Sequence, residues 1–323
     1  MRVFWAFSIV VLAWTAAIPA PAGAQEYPSK PIRFIVPYAP GGGLDVVGRP
    51  IAQKLFEQWG QPVLIENRPG ASTTLGANAV AKAAPDGYTL MLTLSSLTSG
   101  PALYRKLPYD PVRDFAPIIW IATTSYLLCV HPSLPVKSVR ELIALAHAKP
   151  GALNFPSSGQ GSDPHLAAEL FKLMTRTQMT HIPYSGGNPA AVAAISGEVH
   201  LSFMPTVSGT PYVKAGKMRG LGISTPQRSP VFPELPTIAE SGVPGYAAEA
   251  WSGMLAPAQT PREIVVKLNA AVAKIVHSAE MTSFLLSRQT VPKGSSIEEF
   301  TTRLRQDVEK KTRLIREAKI KVE

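Results

Sequence analysis

The chain has 323 residues, 46% hydrophobic and 17% charged, with a formal net charge of +10. That length and balance suit a globular protein of about two domains, with cores large enough to need no staples. The single cysteine, Cys129, excludes an intrachain disulfide and a thiolate metal site, and its apolar surroundings (126–130) make it a small core residue.

Residues 1–24 form a separate unit. Arg2 supplies a positive n-region, residues 3–18 an apolar h-region, and Ala22-Gly23-Ala24 a small-residue cleavage site. This is the pattern of a secretory signal peptide, too short and wrongly flanked for a lasting membrane span. Cleavage after Ala24 is expected to leave a soluble protein in the periplasm, and removing Arg2 takes the net charge from +10 to +9. Export argues against a nucleic-acid partner. The positive charge is dispersed, and its densest cluster (Lys310, Lys311, Arg313, Arg316, Lys319, Lys321) reads as the solvated face of a last helix.

The first predicted strand, 32–36, runs into Pro37-Tyr38-Ala39-Pro40-Gly41-Gly42-Gly43-Leu44-Asp45 and a helix to Trp59. Strand, glycine turn and helix N-terminus together make an anion site, because the first N–H groups of a helix lack intrahelical partners. A second strand (63–67), a turn at 69–71, a helix (73–83) and a third strand (88–94) follow, then Ser95-Ser96. Alternating strands and helices predict an α/β fold, with ligands held beyond the strands' carboxyl ends.

A long apolar strand, 115–130, reads as a crossing into a second domain. Ser138 to Glu141 is a capping box. The strand at 152–155 meets a loop in which Asp163 is expected as N-cap and Pro164 as the first helical residue. The strand at 179–183 meets Tyr184-Ser185-Gly186-Gly187, with Asn188 and Pro189 in the same two roles. Strands at 199–204 and 218–223 follow, and 246–256 returns to the first domain. A capping box at Thr260 to Glu263 and a last helix at 296–319 close the chain. The expected division is domain 1 at 25–124 plus 250–323 and domain 2 at 125–249, joined by two crossing strands.

The motifs Tyr-Pro-x-Lys-Pro-Ile-Arg (27–33), Val-Pro-Tyr-Ala-Pro-Gly-Gly-Gly-Leu-Asp (36–45), Glu-Asn-Arg-Pro-Gly-Ala (66–71), Pro-Asp-Gly-Tyr-Thr-Leu (85–90), His-Pro-Ser-Leu-Pro (131–135), the Ser-Ser-Gly-Gln-Gly-Ser…His loop (157–165) and Val-Pro-Gly-Tyr (243–246) are together specific. On them the chain resembles the extracytoplasmic substrate-binding proteins of tripartite tricarboxylate transporters, the Bug-type receptors. The resemblance implies a two-lobed periplasmic-binding fold of type II-like architecture, with parallel-rich sheets and a two-strand hinge. It implies a small organic carboxylate ligand, partnership with the large and small membrane subunits, and a monomer without cofactor or metal. Carried over by position, it points to Gly41, Gly42, Gly43 and Asp45, then Ser158, Gly161, Ser162 and His165. Ser95, Ser96, Tyr184, Gly187 and Met204 fall at lining positions, and Tyr38 could join Tyr184 in an aromatic wall. Members often carry acidic residues in the strand after the third glycine loop. This chain has His200 and Met204 there, which disfavours an ammonium-bearing ligand.

Some roles stay open on the residues alone. Asp45 either caps its helix or accepts a bond from water or a ligand hydroxyl. His165 is either structural or a ligand contact. No lysine or arginine lies inside 38–45, 157–163 or 184–188, so recognition is expected to rest on backbone dipoles and hydroxyls. Two other classes are a secreted hydrolase using Ser158 or Ser162, which lacks a G-x-S-x-G elbow, and a sensory partner of a membrane kinase. The histidines show no metal spacing, and neither nucleotide motif is complete.

Overall fold

The computed structural model describes residues 26–41, 43–70, 73–230 and 232–320. The leader with its cleavage site, Gly42 and Lys321 lie outside them.

Apolar, β-branched sequence between prolines makes β1 (Ile32–Val36) a strand buried on both faces except at Arg33. The glycine turn leads into α1 (Gly43–Trp59), which buries Leu44, Val47, Ile51 and Leu55 at helical spacing. β2 (Val63–Asn67), α2 (Thr74–Ala81) and β3 (Thr89–Leu94) follow, and β1 pairs in parallel with both β2 and β3. A 3-10 turn, Ser95–Ser99, runs into the short α3 (Gly100–Leu103).

β4 (Phe115–Val130) is one 16-residue strand. It is followed by α4 (Val139–Ala148), β5 (Asn154–Ser157), α5 (Asp163–Thr175), β6 (Thr180–Pro183), α6 (Gly187–Ser196), β7 (Leu201–Pro205), α7 (Thr206–Lys214) and β8 (Arg219–Ile223). β9 (Glu249–Pro257), α8 (Arg262–Val276), α9 (Ala279–Ser287), β10 (Val291–Pro292) and α10 (Ile297–Glu317) complete the chain.

β4 serves two sets of partners. From Phe115 to Ser125 it pairs antiparallel with β9, and at Ala122 and Thr123 with β10. From Tyr126 to Val130 it pairs antiparallel with β7 and β8. The path β10-β4-β9-β3-β1-β2 therefore joins parallel βαβ units to antiparallel crossing strands, while β5 and β6 form a separate parallel pair.

Separate cores form on the two sides. Phe34, Ile51, Leu92, Ile119, Met254 and Leu268 fill one, and Leu128, Phe155, Phe171, Phe203 and Tyr246 another. Burying each such side chain contributes roughly 1.5–3 kcal/mol. Trp251 is fully buried edge-on against Phe300, and its Nε1–H donates to Asp307. Cys129 is buried, and burial pushes its thiol up to about 12.

Three helix starts differ from expectation. The cap of α5 is Ser162, with Asp163 and Pro164 as its first two helical residues. The cap of α6 is Gly186, which leaves Asn188 second and Pro189 third in the helix. The cap of α8 is Pro261, and Thr260 turns its hydroxyl back to the Pro257 carbonyl. Proline tolerates these positions because no helical residue yet needs its N–H. The capping box at Ser138 forms, with its side chain accepting from the Glu141 N–H. Among the described residues no helix is long and apolar enough to cross a membrane.

Candidate functional site

The carboxyl ends of β1, β3 and β5 bring the first candidates together. Tyr38 and Ser96 share a hydrogen bond of 2.7 Å between hydroxyls. Burial pushes the Tyr38 phenol up to about 12, against the bond from Ser96, so it is neutral at physiological pH. Ser95 is fully buried and donates its hydroxyl to Asp163 Oδ2 at 2.9 Å, joining the first half of the chain to the start of α5.

Asp45 lies in the first turn of α1, only 4% exposed. Its Oδ1 accepts from Asn67 Nδ2 at 3.0 Å, and its Oδ2 accepts from the Gly41 N–H at 2.9 Å and from Arg49 at 3.1 Å. Burial raises its pKa, but the bonds from Asn67, Gly41 and Arg49 outweigh that and hold it below the usual carboxylate range. Both oxygens are engaged by the chain itself, so Asp45 shapes the loop. Asn67, outside the expected set, also donates to the Tyr38 carbonyl at 3.0 Å and ties β2 to that loop. Gly41 takes φ +80°, a conformation glycine adopts freely, and both it and Gly43 are exposed.

The second loop is built from inside. His165 is 3% exposed, and its Nδ1 accepts from the Gly161 N–H at 3.0 Å. Its proton therefore sits on Nε2, which faces Glu169 at 3.5 Å. The ring stacks on His181 with centroids 3.7 Å apart, and His181 Nε2 meets the Ser157 hydroxyl at 2.7 Å. Burial, then the His165 neighbour, lowers His181 to about 4. Burial works to raise Glu169, but bonds from His165 and Lys172 hold it low. His165 thus supports the loop from behind. Ser162 donates to the Gly159 carbonyl at 2.7 Å instead of capping α5, and among the described residues the half-buried Ser158 hydroxyl has no hydrogen bond. Ser157 is buried, and its hydroxyl accepts from the Gly159 N–H and bonds the Gly159 carbonyl, which gives it no path to a substrate.

The backbone N–H of Tyr184 donates to the Ser157 carbonyl at 3.0 Å, but its side chain turns away from the loop. The Tyr184 hydroxyl donates to Glu198 at 2.7 Å, near the C-terminal end of α6 and about 15 Å from its start. Met204 is 2% exposed and packs with Cys129, Ala193 and Met218 in the core, so it offers no surface. Gly187 is exposed at the start of α6, which has no side-chain cap.

Besides Arg49 on Asp45, a second cation reaches the loops. Lys311 of α10 lies 2.5 Å from Asp163 Oδ1 and 2.6 Å from the Ser95 carbonyl. Sequence alone placed it on a solvated face. No group of three or more metal-ligating side chains exists among the described residues.

Two α/β halves strung on crossing strands, with glycine-led helix starts at the strands' carboxyl ends, define a periplasmic solute-binding protein. The profile of the tripartite tricarboxylate transporter family receptors matches residues 47–320, and the chain belongs to that family. Protein BugT of Bordetella pertussis is 38% identical over 282 residues, 86% of each chain. The R. palustris protein Rpa4515, solved with adipate, superposes with a TM-score of 0.84 at 37% identity, over 92% of this chain and 100% of that one. MatC of Rhodopseudomonas palustris, solved with malate, gives 0.79 at 31% identity, over 90% of this chain and 100% of that one. The family is periplasmic and consists of binding proteins, so the chain is not an enzyme.

Proposed function

We propose that this protein is an exported receptor that captures a small organic mono- or dicarboxylate between its two lobes and delivers it to the membrane subunits of a tripartite transporter. The carrying observation is the pair of helix starts, α5 and α6, that no side chain caps and that glycine-bearing loops lead into. The N–H groups of these two helix starts favour an oxyanion, and charge-assisted bonds to one are the strong kind. The binding of adipate by one relative and malate by another supports the class.

On this reading the lobes are 25–124 plus 250–323 and 125–249, and cleavage follows Ala24. Ligand contacts come from Gly41, Gly42 and Gly43 on one lip and Ser158, Gly161 and Ser162 on the other. Ser96 and Tyr38 form the wall between. A thermal-shift panel of carboxylates, amino acids, sugars and phosphates tests the class. A cognate ligand at a hundred times its dissociation constant stabilises by about 2.7 kcal/mol. Stabilisation by sugars or phosphates alone would sink it.

A further inference from the structure

Lys311 differs from the basic residues around it on α10. Lys310, Arg313 and Arg316 are exposed, whereas the Lys311 side chain is 13% accessible and that of its partner Asp163 10%. The ammonium bonds Asp163 Oδ1 and the Ser95 carbonyl, and the other carboxylate oxygen accepts from the Ser95 hydroxyl. Three segments far apart in sequence thus meet where the 3-10 turn after β3 faces the start of α5. Leu103, Leu166 and Ile315 form an apolar contact that brings α3, α5 and α10 together. The phenols of Tyr38 and Tyr126 lie close enough to feel the Asp163 charge.

Asp163 is the first residue of α5, so its carboxylate stands at the positive end of that helix. Gly161 and Ser162, just before it, belong to the proposed ligand lip. An unbalanced negative charge there would spend the helix dipole on the protein's own carboxylate and repel an incoming one. Paired with Lys311, that carboxylate is balanced and the free N–H groups remain for the ligand.

We propose that Lys311 is a specificity-determining residue: by neutralising Asp163 it allows the α5 N-terminus to receive an anion. This deepens the carboxylate reading and rests on it. A purely mechanical role for the same pair, clamping α5 to the 3-10 turn, makes a different prediction.

Calorimetric titrations with adipate and with malate separate the two on wild type, Lys311→Met, Lys311→Arg and the double variant Asp163→Asn/Lys311→Met. Lys311→Met is expected to weaken binding at least about tenfold. Lys311→Arg keeps most of the affinity, and the double variant recovers to within about threefold of wild type because no charge is left to balance. A double variant as weak as Lys311→Met assigns a clamp and overturns the proposal, as does a Lys311→Met protein that binds like wild type. Should Lys311→Met not fold, Asp163→Asn alone decides: it is expected to bind at least as tightly as wild type, and weaker binding overturns the proposal. Wild type that binds no carboxylate overturns the ligand class itself, and this proposal with it.

Discussion

Ser125 of β4 and Glu249 of β9 face each other as the last register pair before β4 leaves β9 and runs on against β7 and β8. Glu249 is half-buried, and that burial holds its carboxyl above the usual range. Arg303, Lys293 and Lys310 pull it down and Asp307 pushes it up. A raised folded-state pKa means the folded protein holds this proton more tightly than the unfolded chain. The resulting stability is present below 4.5 and lost as pH rises through the folded value. Glu249→Gln is therefore expected to raise Tm at pH 7, with the gap narrowing toward pH 4.5. An unchanged or lower Tm at pH 7 would contradict this.

The two crossing strands that carry the chain between the cores are expected to act as a hinge. A ligand held by loops on both sides is fully bound only when they approach, so binding shifts the population toward the closed form. Small-angle scattering should give a smaller radius of gyration with a saturating carboxylate. An unchanged radius, with binding confirmed by calorimetry, counts against hinge closure.

Gly161 has φ +69°, and a Cβ there would lie 2.0 Å from a methyl of Leu103, which is itself buried. Gly161→Ala combines left-handed strain with overpacking and should cost about 2 kcal/mol of stability. Trimming the neighbour with Leu103→Ala should recover part of that loss in the double variant. Chemical denaturation of the three variants measures it, and additive losses would show that the two residues do not meet.

In the fold His181 is lowered from its ordinary 6.5 to about 4, because burial and the stacked His165 disfavour its charged form. A depressed base contributes stability that is complete above 6.5 and lost as pH falls through the folded value. Wild type should therefore lose stability through this group between pH 6.5 and 4. His181→Gln should show a flatter profile over the same range. Parallel slopes in urea titrations of the two proteins would refute it.

What was legible in the sequence was local. β1 and β2 match the expected strands end to end because prolines and glycines bound them, and β4 matches because sixteen residues pass without a turn signal. The motif residues located the loops, and Tyr38, Ser95 and Ser96 do come together there. α7 was not legible because Gly209 and Pro211 dilute its helical pattern. Asp163 and Asn188 looked like caps because each precedes a proline, yet proline is tolerated anywhere in the first turn. Lys311 could not be found by any local rule. Its partners lie 148 and 216 residues away, and in sequence it is one of six similar charges.

The unbroken course of β4 also constrains how such a receptor can diverge. Tyr126, Leu128 and Val130 point into one core, while Leu127 and Cys129 point to the opposite face. Against β9 the strand takes up extra residues, its register shifting between Pro117 and Ile119 and again between Trp120 and Ala122, whereas a one-residue slip carried past Ser125 would exchange those faces and turn the second core inside out. The crossing strand works like the shared rail of two gear racks. Specificity can drift tooth by tooth in the loops at either end, while the rail takes up an odd residue only at its bulges.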